Sequence, residues 1–487
     1  MTEVNTSFAM PKRARTLSPM PIFDPLRLPQ FLKARGSKRP QLHATVLWRH
    51  LLRTPKATLD SVDFVEGFPP SLLAAVQLHF VMFTIQLVRK STSSDGSTTK
   101  MLLRLQDGFD IETVVMRHGC TTARKVEGEK RTTVCVSSQI GCKMGCKFCA
   151  TGTMGELGDL WSGEIVEQVA MASFLCNVDV RNVVFMGMGE PMNNYVQMTA
   201  AVSSLIDQKT FGLSPSRITV STVGIVPRME EFTEELGQRG VSLALSLHAP
   251  NQLLRASFVP AARAYPLTRL MRAVDIYTLR TKKKILMEYC LMSGVNDAPE
   301  HARELGELLT SRKEHVLLNL IPYNDTSVDA KYNAPSRKDV EQFADIVMRD
   351  YGVRTTVRKE MGSDVAAACG QLVTQEGEDQ AKAKEGGKSG GGGVSSKQQL
   401  GDMEDLFGGS MLSVRKKERK EAWKGHVQAL ERMKHDMGEV LGGGGGGEAG
   451  GKRSITLDDM MALVHQEVAH DPTYTPQKDG RPLWKLK

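Results

Sequence analysis

"TTVCVSSQIGCKMGCKFCATG" (residues 132–152) carries four of the chain's eight cysteines, and it reads in two parts. The first, Thr132–Ser138, is a β-branched, apolar run of strand length. The second sets Cys142, Cys146 and Cys149 in a C-x3-C-x2-C spacing on a loop after that strand and before a turn at Gly152. Three thiolates this close can wrap one soft metal centre, and their odd number leaves a coordination position that cysteine does not fill. A structural zinc site closes its shell with a fourth Cys or His at short spacing. No histidine follows nearby, so a zinc reading needs a ligand from a distant segment. Cys135 stands apart, on the strand rather than in the loop.

Working outward, 487 residues leave room for roughly two or three domains and a sizeable core. The formal charge of +8 leans toward a polyanionic partner such as RNA, because clustered Lys and Arg favour approach to phosphates. No apolar run has the length to cross a bilayer, and the N-terminus lacks the apolar core of a secretory signal. A soluble, cytoplasmic protein is therefore expected, without a membrane partner. Residues 1–40 hold only Glu3 and Asp24 as acids, which keeps a plastid or mitochondrial transit peptide open. In a reducing compartment, crowded cysteines serve as ligands or catalytic groups more often than as structural disulfides.

The remainder divides into four segments. Residues 1–40 are expected to be a disordered or targeting segment. Residues 41–120 form an accessory RNA-binding unit: helical to about Phe80, with Val46, Leu47, Leu51 and Leu52 on one face and Leu72, Leu73, Val76 and Leu78 in a later run, then a β-meander through "MFTIQLVRK" and "MLLRLQ". Lys38 and Arg39 at its N-terminal border, with Arg49, Arg53 and Lys56 within it, are the expected phosphate contacts. Residues 121–375 repeat one theme, an apolar run followed by a loop and an amphipathic helix, in "TTVCVSS", "NVVFMGMGEP", "RITVSTVG", "VSLALSLHAP", "KILMEYCLM" and "HVLLNLIPYN". Such alternation implies parallel pairing, with the active site at the carboxyl ends of the strands. The expected fold is α/β, a partial six-stranded parallel barrel. Residues 376–487 are a Gly-rich tail with no apolar surface to offset chain entropy. Within it, Trp423, Val427, Leu430, Met437 and Leu441 line one face of a candidate helix at 413–441.

The cysteine spacing, with Phe148 before the third thiol, resembles that of the radical S-adenosylmethionine (radical SAM) enzymes. More narrowly, "TTVCVSSQIGCKMGCKFCATG", "VVFMGMGEPMNN", "ITVSTVGIVP", "LALSLHAP", "LIPYN" and "GSDVAAACGQL" resemble the RlmN/Cfr family of adenine methyltransferases, from about Leu42 to Leu372. The resemblance implies a 4Fe-4S cluster on Cys142, Cys146 and Cys149, SAM used twice per turnover, and methylation of adenine C2 in large-subunit rRNA. It leaves open tRNA as a second substrate, and C8 as the carbon methylated in the Cfr branch. It further implies a flavodoxin- or ferredoxin-type reductase as electron donor and a monomeric enzyme. A non-catalytic Fe-S or zinc RNA-binding protein is the reading from another class; it needs no thiol pair.

By the same resemblance Cys369, in "AAACGQL", carries the methyl carbon, Cys135 releases the product through a disulfide with it, and Glu112, in "DIETVVM", removes the C2 proton. Gly189, Glu190, Ser221, Ser246, Leu247, His248 and Asn324 are the implied SAM contacts. Near Glu112 the sequence departs from the family pattern, with the basic "RHGCTTARKVEGEKR" where a short acidic turn is usual. Cys120 has no matched role, and Cys176 and Cys290 read as packing residues in apolar runs.

Overall fold

The computed structural model describes residues 15–53, 59–118, 131–326, 328, 332–358, 362–367 and 370–372. Lys56, Cys120, Cys369 and the tail with its candidate helix at 413–441 lie outside the described residues. Among the described residues no helix is long and apolar enough to cross a membrane.

Folding begins inside the segment expected to be disordered or targeting. The short strand β1 (Met20–Pro21) pairs in parallel with β2 (Phe80–Val81), and Ile22, Phe23, Leu28 and Leu32 are buried. Helices α1 (Arg27–Ala34), α2 (Pro40–Arg53) and α3 (Pro70–His79) pack with them. The apolar face of α2 is Ala44, Leu47, Trp48 and Leu51, each large side chain contributing about 2 kcal/mol by its removal from water. Leu72, Leu73 and Val76 of α3 are buried, whereas Leu78 is exposed, because it falls off the stripe that the other three define. Lys38, Arg39 and Arg53 are exposed, and Arg49 is half-buried.

A meander of β3 (Gln86–Thr92), β4 (Thr98–Arg104) and β5 (Asp110–His118) follows. It does not form a sheet of its own. β5 pairs antiparallel with β6 (Arg131–Cys135), and β6 opens a parallel series through β9 (Val180–Phe185), β10 (Ile218–Thr222), β11 (Ser242–Ser246), β12 (Ile285–Leu291), β13 (Val316–Pro322) and β14 (Thr355–Val357). The six apolar runs read from the sequence are β6 and β9 to β13; the three-residue β14 adds a seventh strand at the edge. The ten-stranded sheet ends in β14 and β3, so the barrel stays open.

The parallel strands are joined by α5 (Ser162–Cys176), α6 (Tyr195–Ile206), α7 (Val226–Phe232), α9 (Leu267–Thr281) and α10 (Pro299–Thr310), and α11 (Arg337–Asp345) precedes β14. Polar groups clip the segments that flank the N-terminal helices onto α5. The buried Glu167 carboxylate accepts from the Thr84 N–H and hydroxyl, both at 3.0 Å, and from the Ile85 N–H at 3.1 Å. Glu164 accepts twice from Arg15 at 2.7 Å, and Arg15 also reaches Asp107 at 2.6 Å. Removing one partner of such a buried pair costs about 3–5 kcal/mol.

Candidate active site

Between β6 and α5 the chain makes a hairpin of β7 (Gln139–Cys142) and β8 (Gly155–Asp159), with α4 (Ala150–Thr153) in its connection. Cys142 is thus the last residue of a strand, paired in register with Gly155, while Cys146 and Cys149 are on the loop. Bonds from both sides fix this loop: the Lys147 N–H donates to the Phe258 carbonyl at 3.0 Å and the Ala150 N–H to the Gly370 carbonyl at 2.8 Å. Phe148 packs edge-on against His248 and Phe258, at 5.0 and 5.9 Å between ring centroids. Gly152 must be a glycine, since a Cβ there would sit 2.9 Å from the Cys146 carbonyl oxygen.

The three thiols open into one cavity at the carboxyl ends of the parallel strands, shared with Gly189, Glu190, Ser221, Ser246 and His248. Among the described residues no three His, Cys, Asp or Glu side chains converge as a single-ion site. A multi-iron cluster takes one thiolate per corner iron and needs no such convergence. Burial pushes the Cys142 thiol up to about 12, with Cys149 adding to the shift, and raises Cys146 as well. Soft thiol donors facing a cavity, costly to ionise alone, fit a metal cluster that binds them as thiolates.

Glu190 is held from three sides. Its Oε2 accepts from the Val223 N–H at 2.8 Å, its Oε1 from the Met192 N–H at 3.1 Å, and its own N–H donates to Gln139 Oε1 at 2.9 Å. The preceding Gly189 has φ +97°, and a Cβ there would lie 2.6 Å from the Gln139 side chain, so only glycine brings the chain this close. Burial raises the Glu190 carboxyl to about 7, against the opposing hydrogen bonds.

Ser221 and Ser246, in adjacent strands, stand 3.5 Å apart, and Ser221 Oγ donates to Glu288 Oε2 at 3.2 Å. His248 has φ +61°, and its Nδ1 accepts from the Cys290 N–H at 3.0 Å. Burial lowers its pKa to about 3, with Arg255 adding to the effect. The ring is therefore neutral with its proton on Nε2. Leu247 turns into the core, fully buried; its N–H donates to the Glu288 carbonyl at 2.9 Å and its carbonyl accepts from Arg255 at 2.9 Å. Asn324 is buried one residue beyond Tyr323; Tyr323 lines the cavity and Asn324 does not.

A second, smaller cavity is lined by Cys135, Val114, Met186, Arg358, Ala367 and Leu372; Met186 also lines the first. Cys135 is opposite Val114 in register, so it shares a sheet face with Val114 and, two residues before, Glu112. Glu112 is buried and ion-paired with Lys100 at 2.9 Å, and Lys100 also donates to the Ala366 carbonyl at 3.1 Å. Cys369 lies outside the described residues, but its chain neighbours Ala367 and Gly370 line the second and first cavities respectively.

Three cavity features escaped the sequence reading. Glu288 is buried in β12 with its carboxyl raised by burial; the acid inside the apolar "ILMEYCL" was the available signal. Cys290, read as a packing residue, lines the cavity. Gln139 ties Glu190 to the hairpin, donating to Glu156 and Asp159 at 2.7 and 2.8 Å; nothing local in the sequence distinguishes it.

The sequence model of the Radical SAM superfamily matches residues 136–306. "Dual-specificity RNA methyltransferase RlmN 1" of Myxococcus xanthus is 42% identical over 335 residues, 68% of this chain and 88% of its own length. "Ribosomal RNA large subunit methyltransferase N" of Nitrosopumilus maritimus is 46% identical over 59% of this chain and 80% of its own. Among solved structures, a radical SAM methyltransferase from Sphaerobacter thermophilus superposes with a TM-score of 0.64 at 37% identity, covering 72% of this chain and 99% of that one. Identity at this level across nearly the whole of the relatives, on a barrel whose strand ends gather the three-thiol loop and Glu190, settles the family: the chain belongs to the RlmN family of radical SAM RNA methyltransferases.

Proposed function

We propose that the chain is a monomeric, cytoplasmic enzyme that methylates C2 of adenine in large-subunit rRNA and in tRNA, with a flavodoxin- or ferredoxin-type reductase as electron donor. The observation that carries this reading is the joining of three thiols, Glu190, Ser221, Ser246 and His248 in one cavity, beside a second cavity that holds Cys135. Cys142, Cys146 and Cys149 would hold a 4Fe-4S cluster, which would supply one-electron chemistry and so a radical route to an sp2 carbon that cannot attack a methyl group directly.

The chain's own residues do the rest. Glu190 accepts from the amino group of SAM, with Ser221, Ser246 and the His248 Nε2–H as further polar contacts, and the Leu247 backbone and Asn324 complete the site. Cys369 holds the carbon destined for the base, and Glu112, oriented by Lys100, takes the C2 proton. Cys135 attacks the Cys369 sulfur as a thiolate, so that an S–S bond forms as the S–C bond to the RNA breaks; the bonding pair goes to the carbon, which takes up a proton and becomes the methyl group of the product. Exposed Lys38, Arg39 and Arg53 meet phosphates of the substrate without reading its bases.

Mass mapping of rRNA and tRNA from cells lacking the protein tests the assignment: 2-methyladenine should disappear from both. Loss of 8-methyladenine instead would reassign the carbon, and retention of both marks would remove the activity.

The raised Glu190 carboxyl gives a pH signature. Above pH 7 it is ionised and accepts from the SAM amino group; as pH falls through about 7 it takes up a proton and one acceptor is lost. SAM affinity of the reconstituted protein should therefore fall from pH 8 to pH 6, by about tenfold per pH unit below the pKa. Glu190→Gln should bind weakly at both values, with its pH dependence removed. Parallel pH profiles for the two proteins, by equilibrium dialysis, would rule Glu190 out.

A further inference from the structure

Arg255, on α8 (Gln252–Phe258), is an arginine inside the barrel with 0% exposure. Its Nε donates to the Leu247 carbonyl at 2.9 Å, and its Nη2 to the carbonyls of Val223 at 2.7 Å and Ser246 at 3.1 Å. Its Nη1 has no hydrogen-bond partner among the described residues. All three acceptors are neutral. Burial lowers its pKa to about 10, which leaves it a cation at neutral pH. A charge in such a place is normally matched by a carboxylate or another anion, and none of its hydrogen-bond partners among the described residues is one.

The surroundings say where the anion belongs. Val223 and Ser246, whose carbonyls hold Nη2, line the cavity together with Cys146. Helix α8 ends at Phe258, whose carbonyl accepts from Lys147, between the second and third cysteines of the loop. Neutral thiols give the guanidinium no counter-charge; three thiolates on a cluster do.

We propose that Arg255 is a positioning residue that supplies the buried counter-charge of the cysteine loop and thereby favours the reduced cluster over the oxidised one. Reduction adds one negative charge at the loop, and a fixed cation in a low-dielectric interior stabilises that state more than the oxidised one. The fork that ties three strand-end carbonyls holds the cation there. The inference rests on the cluster reading of the three cysteines.

The test is an anaerobic redox titration, followed by electron paramagnetic resonance, of the reconstituted full-length protein and two variants. Arg255→Gln keeps a donor and removes the charge; Arg255→Lys keeps the charge and removes the fork. At the wild-type midpoint, the ratio of reduced to oxidised cluster should fall in the Gln variant by more than threefold and toward tenfold, about 59 mV for one electron. In the Lys variant it should stay within about threefold of wild type. A Gln variant within threefold of wild type overturns the proposal, as does a Lys variant displaced beyond that limit. Should the Gln variant take up no iron, the Lys variant decides: a loaded cluster within threefold of wild type supports the charge, and any other result overturns it. Wild-type protein that takes up no iron would instead sink the cluster reading, a failure that iron content tells apart from the failure of Arg255.

Discussion

Cys146→Ala is expected to yield a folded protein that retains no cluster and leaves SAM uncleaved. Cys146 is central in the loop: Gly152 is pressed against its backbone, the Cys149 N–H donates to its carbonyl at 3.1 Å, and its thiol opens into the cavity. Loss of an outer-shell group alone costs a metal site about 10–100-fold in affinity, so loss of a ligand should cut iron retention by at least about 100-fold. The side chain removed is small and half-buried, so the far-ultraviolet circular dichroism of the variant should match wild type. Cys176→Ala, in α5, is the control and should load iron normally. Stoichiometric zinc without iron in anaerobically purified wild-type protein would contradict the assignment of the loop.

Cys135→Ala should have an equally large effect of a different kind: a protein trapped on its RNA. The cysteine is buried at the end of β6, facing the cavity that Ala367 and Leu372 also line, on the same sheet face as Glu112. On the proposed mechanism, a methylene carried by Cys369 would still reach the base without this thiol, but no nucleophile would break the S–C bond. The variant purified from RNA-containing cells should run as a covalent adduct on a denaturing gel, with nuclease-sensitive excess mass. Cys369→Ala should be just as inactive and form no adduct, since it has no sulfur to carry the carbon. A Cys135→Ala protein that methylates RNA at the wild-type rate would return Cys135 to a packing role.

Much of this architecture is legible in one dimension because its signals are local. β10 and β11 are buried on both faces over most of their length and therefore read as continuous apolar runs, which is why "RITVSTVG" and "VSLALSLHAP" announce them. The cysteine cluster is legible for a similar reason: three thiols brought into one cavity by one short stretch of chain must sit close in sequence. Residues 20–34 form β1 and α1, although the Pro and Arg around them look like an unfolded leader. The burial of Ile22 and Phe23 depends on distant partners, the Val81 carbonyl that accepts from the Ile22 N–H and the Phe211 ring packed on Phe23, that no local pattern discloses.

By itself, then, the sequence determined the strand and helix succession, the three-thiol loop and the family, all carried by short-range spacing. Tertiary structure alone decided what distant segments do to one another. It ran the meander into the barrel sheet by pairing Val114 with Cys135, placed Glu288 beside Ser221, and drew Gly370 onto Ala150. It also buried Arg255 behind the strand ends. Charge, proton position and access at these residues follow from burial and from hydrogen bonds between strands far apart in the chain, and a residue's letter does not record the environment it will be folded into.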